Sequence, residues 1–320
     1  MRIRFGFVSN ANALWDASPA QTVTYKRFTE LGQEKGTEKL LEVTAKNLRN
    51  TKRILYYLGA HDAHVYRMSS SLVPLATHPD VMWDFVTPFK QEWEELGRLV
   101  KELRIRASFH PNQFTLFTSP REEVTANAIK DMDYHYKMLE AMGIVDQGVI
   151  NIHIGGTYGD REAAIGRFHE NLKGLPFPIK EIMTLENDDK TYTVEETLEV
   201  CENESIPMVL DIHHHIANPT EAPVESFLPR IFETWKHRDL PPKIHISSPK
   251  NKEEGNIRAH ADYVDLDFIL PLLKELKKLQ QDVDFMIEAK EKDFAMLQLV
   301  EDVAGIRGVK RIDGAEIEWK

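Results

Sequence analysis

The sequence predicts an α/β fold: a (β/α)8 barrel of the TIM type, one domain over residues 1–320, with an insertion at 10–36 after strand one. Three observations predict it. Eight short runs rich in Val and Ile each precede a helix-type segment. Many of the runs are apolar on both faces, as parallel strands covered by helices are. No Gly-rich phosphate loop follows any run, which counts against a doubly wound open sheet.

In chain order the strand-type runs are IRFGFVS (3–9), HVYRMSS (64–70), RASFHP (106–111), GVINIHI (148–154), IMTLEN (182–187), MVLDIHH (208–214), KIHISS (243–248) and DFMIEAK (284–290). The helices between them have start and stop signals. TEKLLEVTAKNLRNTKRILYYLG repeats apolar residues every three or four positions, with Gly59 placed to close it. SPRE sets Ser119 at an N-cap, Pro120 at the first helical position and Glu122 in a capping box; TVEE repeats the device with Thr193 and Glu196. Pro271 in VDLDFILPLLKELKKL predicts a kink or restart. The segment 10–36 is longer than most strand-to-helix loops.

Composition narrows the class. Hydrophobic residues at 42% and charged residues at 28% read as a soluble globular chain. No apolar run approaches the ~20 residues of a membrane span, and the N-terminus lacks a signal-peptide pattern. The single cysteine, Cys201, excludes an internal disulfide, fits a reducing cytoplasm and falls on a helical pattern as a buried spacer. A formal charge of −11 argues against a general nucleic-acid coat protein but not against a nucleic-acid enzyme with a local basic groove.

Chemistry in a barrel collects where strands end. Strand three ends at His110, strand four at His153, strand five at Glu186, strand six at Asp211 followed by His213, His214 and His215, strand seven at His245 and strand eight at Glu288. His78 follows strand two, and His260 and Asp262 follow strand seven. Six consecutive strands thus deliver imidazole or carboxylate to one rim. Converging carboxylates repel, and desolvating them is costly without counter-charge. Divalent ions remove that cost, and the mixed N and O set suits Zn, Mn or Fe. At least eight candidate ligands are present, more than one ion needs. His61, His64, His135, His169 and His237 fall on helices or their edges and read as surface or packing residues.

In LDIHHH a strand would put Asp211 and His213 on one face, whereas a chain turning over the rim would pair Asp211 with His214. Lys243 precedes His245 by two and so shares its face. It would salt-bridge an acid, contact a phosphate, carry a carboxyl group that bridges metals, or cover the barrel floor.

The segments SFHPNQF, INIHIGGTYGD, LENDD, LDIHHH, KIHISSPK, HADYVD and MIEAK, with FGFVSNANALWDASPA and LVPLATHPDVMWDF, together resemble the bacterial UV damage endonucleases, Bacillus-type members in particular. The likeness covers about residues 1–315. It implies the barrel and trinuclear metal arrangement of endonuclease IV. It implies an ATP-independent repair enzyme that nicks the phosphodiester immediately 5′ to cyclobutane dimers and 6-4 photoproducts, leaving a 3′-hydroxyl and a 5′-phosphate, with Mn2+ as the usual metal and Zn2+ or another divalent ion as the alternative. Carried over residue by residue, the ligands are His78, His110, His153, Glu186, Asp211, His214, His245, His260 and Glu288. Glu186, central among the strands, is the expected bridging carboxylate. Glu186, His110 and Lys243 are the expected catalytic residues, Lys243 matching a family lysine close to the metals.

In that family a Gln followed by an aromatic after strand three probes the duplex for damage; here these are Gln113 and Phe114. Phe stacks as Tyr does but has no hydroxyl to donate. Phe7 matches a second aromatic position, and Asn10 and Trp15 in the next loop are further candidates. Arg67, Arg104 and Lys250 are candidates for the DNA groove. The implied partner is double-stranded DNA with UV lesions, met by a monomer in the bacterial cytoplasm at the nucleoid. Competing readings are an abasic-site endonuclease of the endonuclease IV type, a metal-dependent sugar isomerase or epimerase, and a non-catalytic barrel that binds damaged DNA.

Overall fold

The computed structural model describes residues 1–250 and 257–320. In chain order the elements are β1 (Arg2–Val8), α1 (Tyr25–Leu31), α2 (Gln33–Ala60), β2 (Val65–Arg67), α3 (Lys90–Glu102), β3 (Arg106–Phe109), α4 (Glu122–Ala141), β4 (Val149–His153), α5 (Arg161–Leu172), α6 (Phe177–Glu181), β5 (Met183–Glu186), α7 (Val194–Glu204), β6 (Met208–Asp211), α8 (Ile212–Ala217), α9 (Leu228–Glu233), β7 (Lys243–Ile246), α10 (Leu266–Leu279), β8 (Val283–Ile287), α11 (Lys292–Ala304), β9 (Val309–Asp313) and β10 (Glu316–Trp319). Strands β1 to β8 follow one another in parallel, and β1 pairs with both β8 and β2 to close the ring. This is a TIM barrel.

Strand parity decides which residues enter the ring. Arg4, Arg106 and Asp284 meet inside it, so Ile3, Phe5 and Phe7 on the other face of β1 point at the helices. The outer faces of the strands pack on the helices in one apolar layer containing Phe5, Phe109, Leu185 and Phe285, all fully buried. Cys201 belongs to this layer as a free, buried thiol. Burial pushes its pKa well up, so it is a spacer.

Strand β2 joins β1 only from Gly6 to Val8. Gly6 is required there, because a Cβ would lie 2.1 Å from the Val65 carbonyl oxygen. Below that point the other flank of β1 is taken by β10, antiparallel from Arg2 to Arg4, with β9 outside it. This terminal hairpin has no counterpart in the sequence expectation.

Several local signals resolve differently from expectation. The Thr193–Glu196 capping box forms. The Ser119 box does not: α4 starts at Glu122 behind Arg121, and Ser119 Oγ accepts from the Arg121 N–H at 3.1 Å, an isolated turn before the helix. Helix α2 runs through Gly59, whose bare Cα lets the Leu103 side chain pack against it. Helix α10 continues through Pro271, which lies on its exposed face, where the carbonyl that loses its partner is open to solvent. Within the 10–36 segment, Val23 and Phe28 form a small satellite core with Leu40 and Val43, roofed by Leu75, Val81 and Trp83 of the loop after β2. Among the described residues no helix is long and apolar enough to cross a membrane.

Candidate metal centre

The inward positions at the C-terminal ends of β3 to β8 meet around Glu186, which is 1% exposed. His110 Nε2 lies 3.2 Å from its Oε2, His245 Nδ1 lies 3.1 Å from Oε2, and His214 Nδ1 lies 3.4 Å from Oε1. His245 Nδ1 is also 3.1 Å from Glu288 Oε1. Two groups have ligand atoms within 4.8 Å of one another: His110, His153 and Glu186, and Glu186, Asp211, His245 and Glu288. Glu186 belongs to both.

Local chemistry fixes each side chain. Strand β6 stops at Asp211 because its carboxylate caps α8, accepting from the His214 N–H at 2.8 Å. That turn brings His214, not His213, toward Glu186. His213 instead bonds the Ile257 carbonyl at 2.7 Å. Asn187 clamps the Asp211 backbone with two 2.9 Å hydrogen bonds. Thr184 Oγ1 donates to Asn151 Oδ1 at 2.8 Å, and Asn151 Nδ2 donates to Glu186. Arg67, from β2, ion-pairs with Glu288.

Burial opposes ionisation of Glu186, but the imidazoles of His245, His153 and His110 hold its carboxyl well below the usual range. Burial likewise disfavours charge on His245 and His214, yet the acids around them push both up to about 9. His110 goes the other way, down to about 4, because burial outweighs its contact with Glu186.

Two features show that this set suits divalent ions. Glu186 Oε1, Asp211 Oδ2 and His245 Nδ1 are buried without a well-aligned hydrogen bond, their near neighbours being other members of the set. Nδ1 of His110, His153 and His214 faces the backbone carbonyls of Pro111, Glu186 and Asn187 at 3.1, 3.3 and 3.0 Å. Those carbonyls fix the proton on Nδ1 and leave Nε2 as the lone pair for a metal, the usual support of a ligating histidine.

Not every expected residue joins the cluster. His78 is in neither group; its ring stacks on Tyr25 with centroids 4.0 Å apart. His260 packs edge-on against His213 at 4.8 Å, with a buried, unpartnered Nδ1. Lys243 is 1% exposed and donates to Ser108 Oγ at 2.9 Å. It stands a layer below His245, on the floor near Arg106 and Asp284; burial and then Arg106 push its pKa well down.

Gln113 and Phe114 are exposed on the loop after β3, Phe114 at 71%. Asn112 shapes this loop, its side chain accepting from the Phe114 N–H at 2.8 Å. Thr115 anchors it from below, donating to Asp131 of α4 at 2.5 Å. Asn10 is half-buried and bonds Ser9 at 3.2 Å, while Trp15 is 90% exposed. Phe7 requires correction as a probing residue. It is fully buried between Tyr66 and Tyr57, on the helix-facing side of β1. Arg104 requires the same, because it lines a cleft with Arg2, Arg4 and Asp282 at the opposite end of the barrel. Arg67 is at the cluster itself, and Lys250 is exposed beyond β7.

Asn151, Thr184, Asn187 and Arg67 were not anticipated in the site. Parity would have found the first two, which lie two residues before His153 and Glu186 on the same inward face.

The family profile of UV-endonuclease UvdE matches residues 3–320. The chain is 60% identical to a UV DNA damage endonuclease of Bacillus velezensis and 56% identical to one of Bacillus cereus, with all of each chain covered. The crystal structure of SacUVDE superposes with a TM-score of 0.83 at 28% identity, covering 95% of this chain and all of that one.

Proposed function

The chain belongs to the UV-endonuclease UvdE family, DNA endonucleases of UV-damage repair, and from that premise we propose that it nicks the phosphodiester immediately 5′ to UV photoproducts at a multinuclear metal centre on the barrel mouth. The observation that carries the proposal is the shared carboxylate: Glu186 belongs to both ligand groups and has a buried oxygen without a well-aligned hydrogen bond.

His110, His153 and Glu186 would hold one divalent ion, and Glu186, Asp211, His245 and Glu288 another. His214, beside Glu186, completes the reachable set, and His78 and His260 complete the ligand pattern that the resemblance implies. Bound there, manganese or a similar ion supplies hydroxide near neutral pH and neutralises charge on the phosphate. The chain itself contributes no nucleophile. Its carboxylates and imidazoles hold the site, with Asn151, Asn187 and the three carbonyls fixing their orientation. Arg67 keeps a cation at the rim where a phosphate would approach. Gln113 and Phe114 read the duplex by occupying the space of displaced bases, as side chains that test base stacking do. Lys243 acts from the floor, where its positive form is disfavoured.

The test is incision of UV-irradiated, abasic and undamaged duplexes with Mn2+, resolved by strand length. The wild-type protein cuts the irradiated strand 5′ to the lesion. Glu186→Gln and His110→Ala bind damaged DNA without cutting it. Full incision by either variant at saturating metal would sink the proposal.

A further inference from the structure

A second charged surface lies outside the mouth. Asp16 and the α2 residues Lys46, Arg49, Lys52, Arg53 and Tyr56 line an open groove of about 390 Å³. Two of its cations are already matched: Lys46 pairs with Asp16 at 3.0 Å and Lys52 with Glu95 at 2.8 Å. Arg49 and Arg53 make no ion pair among the described residues, and both are exposed. Arg53 is nonetheless held in place, donating to the Trp15 carbonyl at 2.9 Å and the Asp16 carbonyl at 3.1 Å. On a chain with formal charge −11, the anchored Arg53 and the exposed Arg49, neither in an ion pair among the described residues, beside a 90% exposed tryptophan suit an anionic partner with planar groups to stack.

The groove connects to the rim. The loop carrying Trp15 and Asp16 leaves the end of β1 and is tied to the first turn of α11, which follows β8, because the Asn12 and Ala13 N–H groups donate to Asp293 at 2.5 and 3.2 Å. Asp16 lies eight residues beyond Val8. A fully extended chain of that length spans at most about 29 Å, or roughly eight base pairs at ~3.4 Å each. A duplex lying on the mouth and leaving over β1 and β2 would pass the groove within that distance.

We propose that the Arg49–Arg53 groove, with Trp15 at its edge, is a docking site for the sugar-phosphate backbone of undamaged duplex flanking the lesion. It would grip DNA independently of sequence and damage, while the mouth does the reading. This deepens the endonuclease proposal and rests on it.

The experiment compares wild type with Arg49→Ala/Arg53→Ala and with the charge-keeping Arg49→Lys/Arg53→Lys. Arg49→Glu serves as a second variant that touches no hydrogen bond of the loop. Binding to an undamaged duplex of about 40 base pairs is measured against NaCl. Two lost phosphate contacts flatten the log–log slope by about 1.8, so wild type loses about tenfold more affinity than the alanine variant between 50 and 200 mM salt. The lysine variant keeps the wild-type slope. Incision is then measured on single-lesion duplexes with arms of about six or twenty base pairs. The alanine and glutamate variants raise KM severalfold for long arms and leave short-arm cutting unchanged. Equal slopes and equal long-arm KM across the variants overturn the groove. Failure of the wild type to cut any irradiated duplex refutes the endonuclease proposal instead, and the binding slopes still judge the groove.

Discussion

Replacing Asp284 with Asn tests how the barrel tolerates charge beneath its mouth. Asp284 Oδ1 accepts from Arg4 Nε at 2.6 Å, and Oδ2 accepts from Arg4 Nη2 and Arg106 Nη1, both at 2.7 Å. The aspartate and Arg106 side chains are 1% and 2% exposed, while that of Arg4 is 27% exposed. An amide keeps one acceptor and turns two N–H donors toward guanidinium donors. Arg106 then stays buried and uncompensated beside Lys243. Breaking a buried pair on one side costs about 3–5 kcal/mol. Water reaches Arg4 and offsets part of its loss, so the Arg106 pair dominates and the total stays within about 3–5 kcal/mol. Urea unfolding at fixed metal concentration checks this, as a lower midpoint at unchanged slope. Removing both fully buried partners together, Asp284→Leu with Arg106→Met, returns at least about half of the loss, because the guanidinium left without its partner is that of Arg4, which water reaches. A loss below about 1 kcal/mol for Asp284→Asn would refute the reasoning.

Four further outcomes follow. Gln113→Ala with Phe114→Ala lowers the preference for irradiated over undamaged duplex, measured as a ratio of kcat/KM, and an unchanged ratio contradicts their probing role. Arg67→Ala weakens metal affinity by about 10- to 100-fold in competition with a chelating dye, because Glu288 loses the group that orients it. His214 and His245, raised to about 9 without metal, contribute stability below about pH 6.5 that is lost as pH rises through 9. The melting temperature of chelator-stripped protein therefore falls over that window, and metal-loaded protein, whose histidines are already deprotonated, does not show the fall. Thr193→Ala removes a complete capping box and lowers unfolding free energy by about 1 kcal/mol with incision unchanged.

The eight barrel strands were legible because burial on both faces leaves short, largely apolar runs between helical segments, and each observed strand lies in or within one residue of its expected run. The rim was legible for a related reason: an imidazole or carboxylate at the end of an apolar strand has few structural uses. Parity was the under-used signal. It separates Phe7, which shares a face with Ile3 and Phe5, from the mouth, and it points to Asn151 and Thr184. Arg104 precedes β3, and only knowing which barrel end is the mouth removes it from a DNA surface. The β9–β10 hairpin was hidden because its residues are mixed and mostly charged, and its place depends on β2 being too short to flank all of β1. The contact of Arg67 with Glu288 joins positions far apart in the chain and leaves no local pattern.

That contact has a topological meaning. Strand β1 is the earliest of the eight, yet Ile3 pairs with Val283 and Ile317. Such distant pairings carry the largest loop-closure cost, whereas β3 to β7 pair with near neighbours in the chain. Arg67 sits on β2 and Glu288 just past β8, the two strands that flank β1. Their ion pair therefore spans the strand with the most distant pairings and works as a clasp over it. The residues of both ligand groups lie on β3 to β8 or just past them, so closing the ring at β1 adds Arg67 to a set that those six strands already carry.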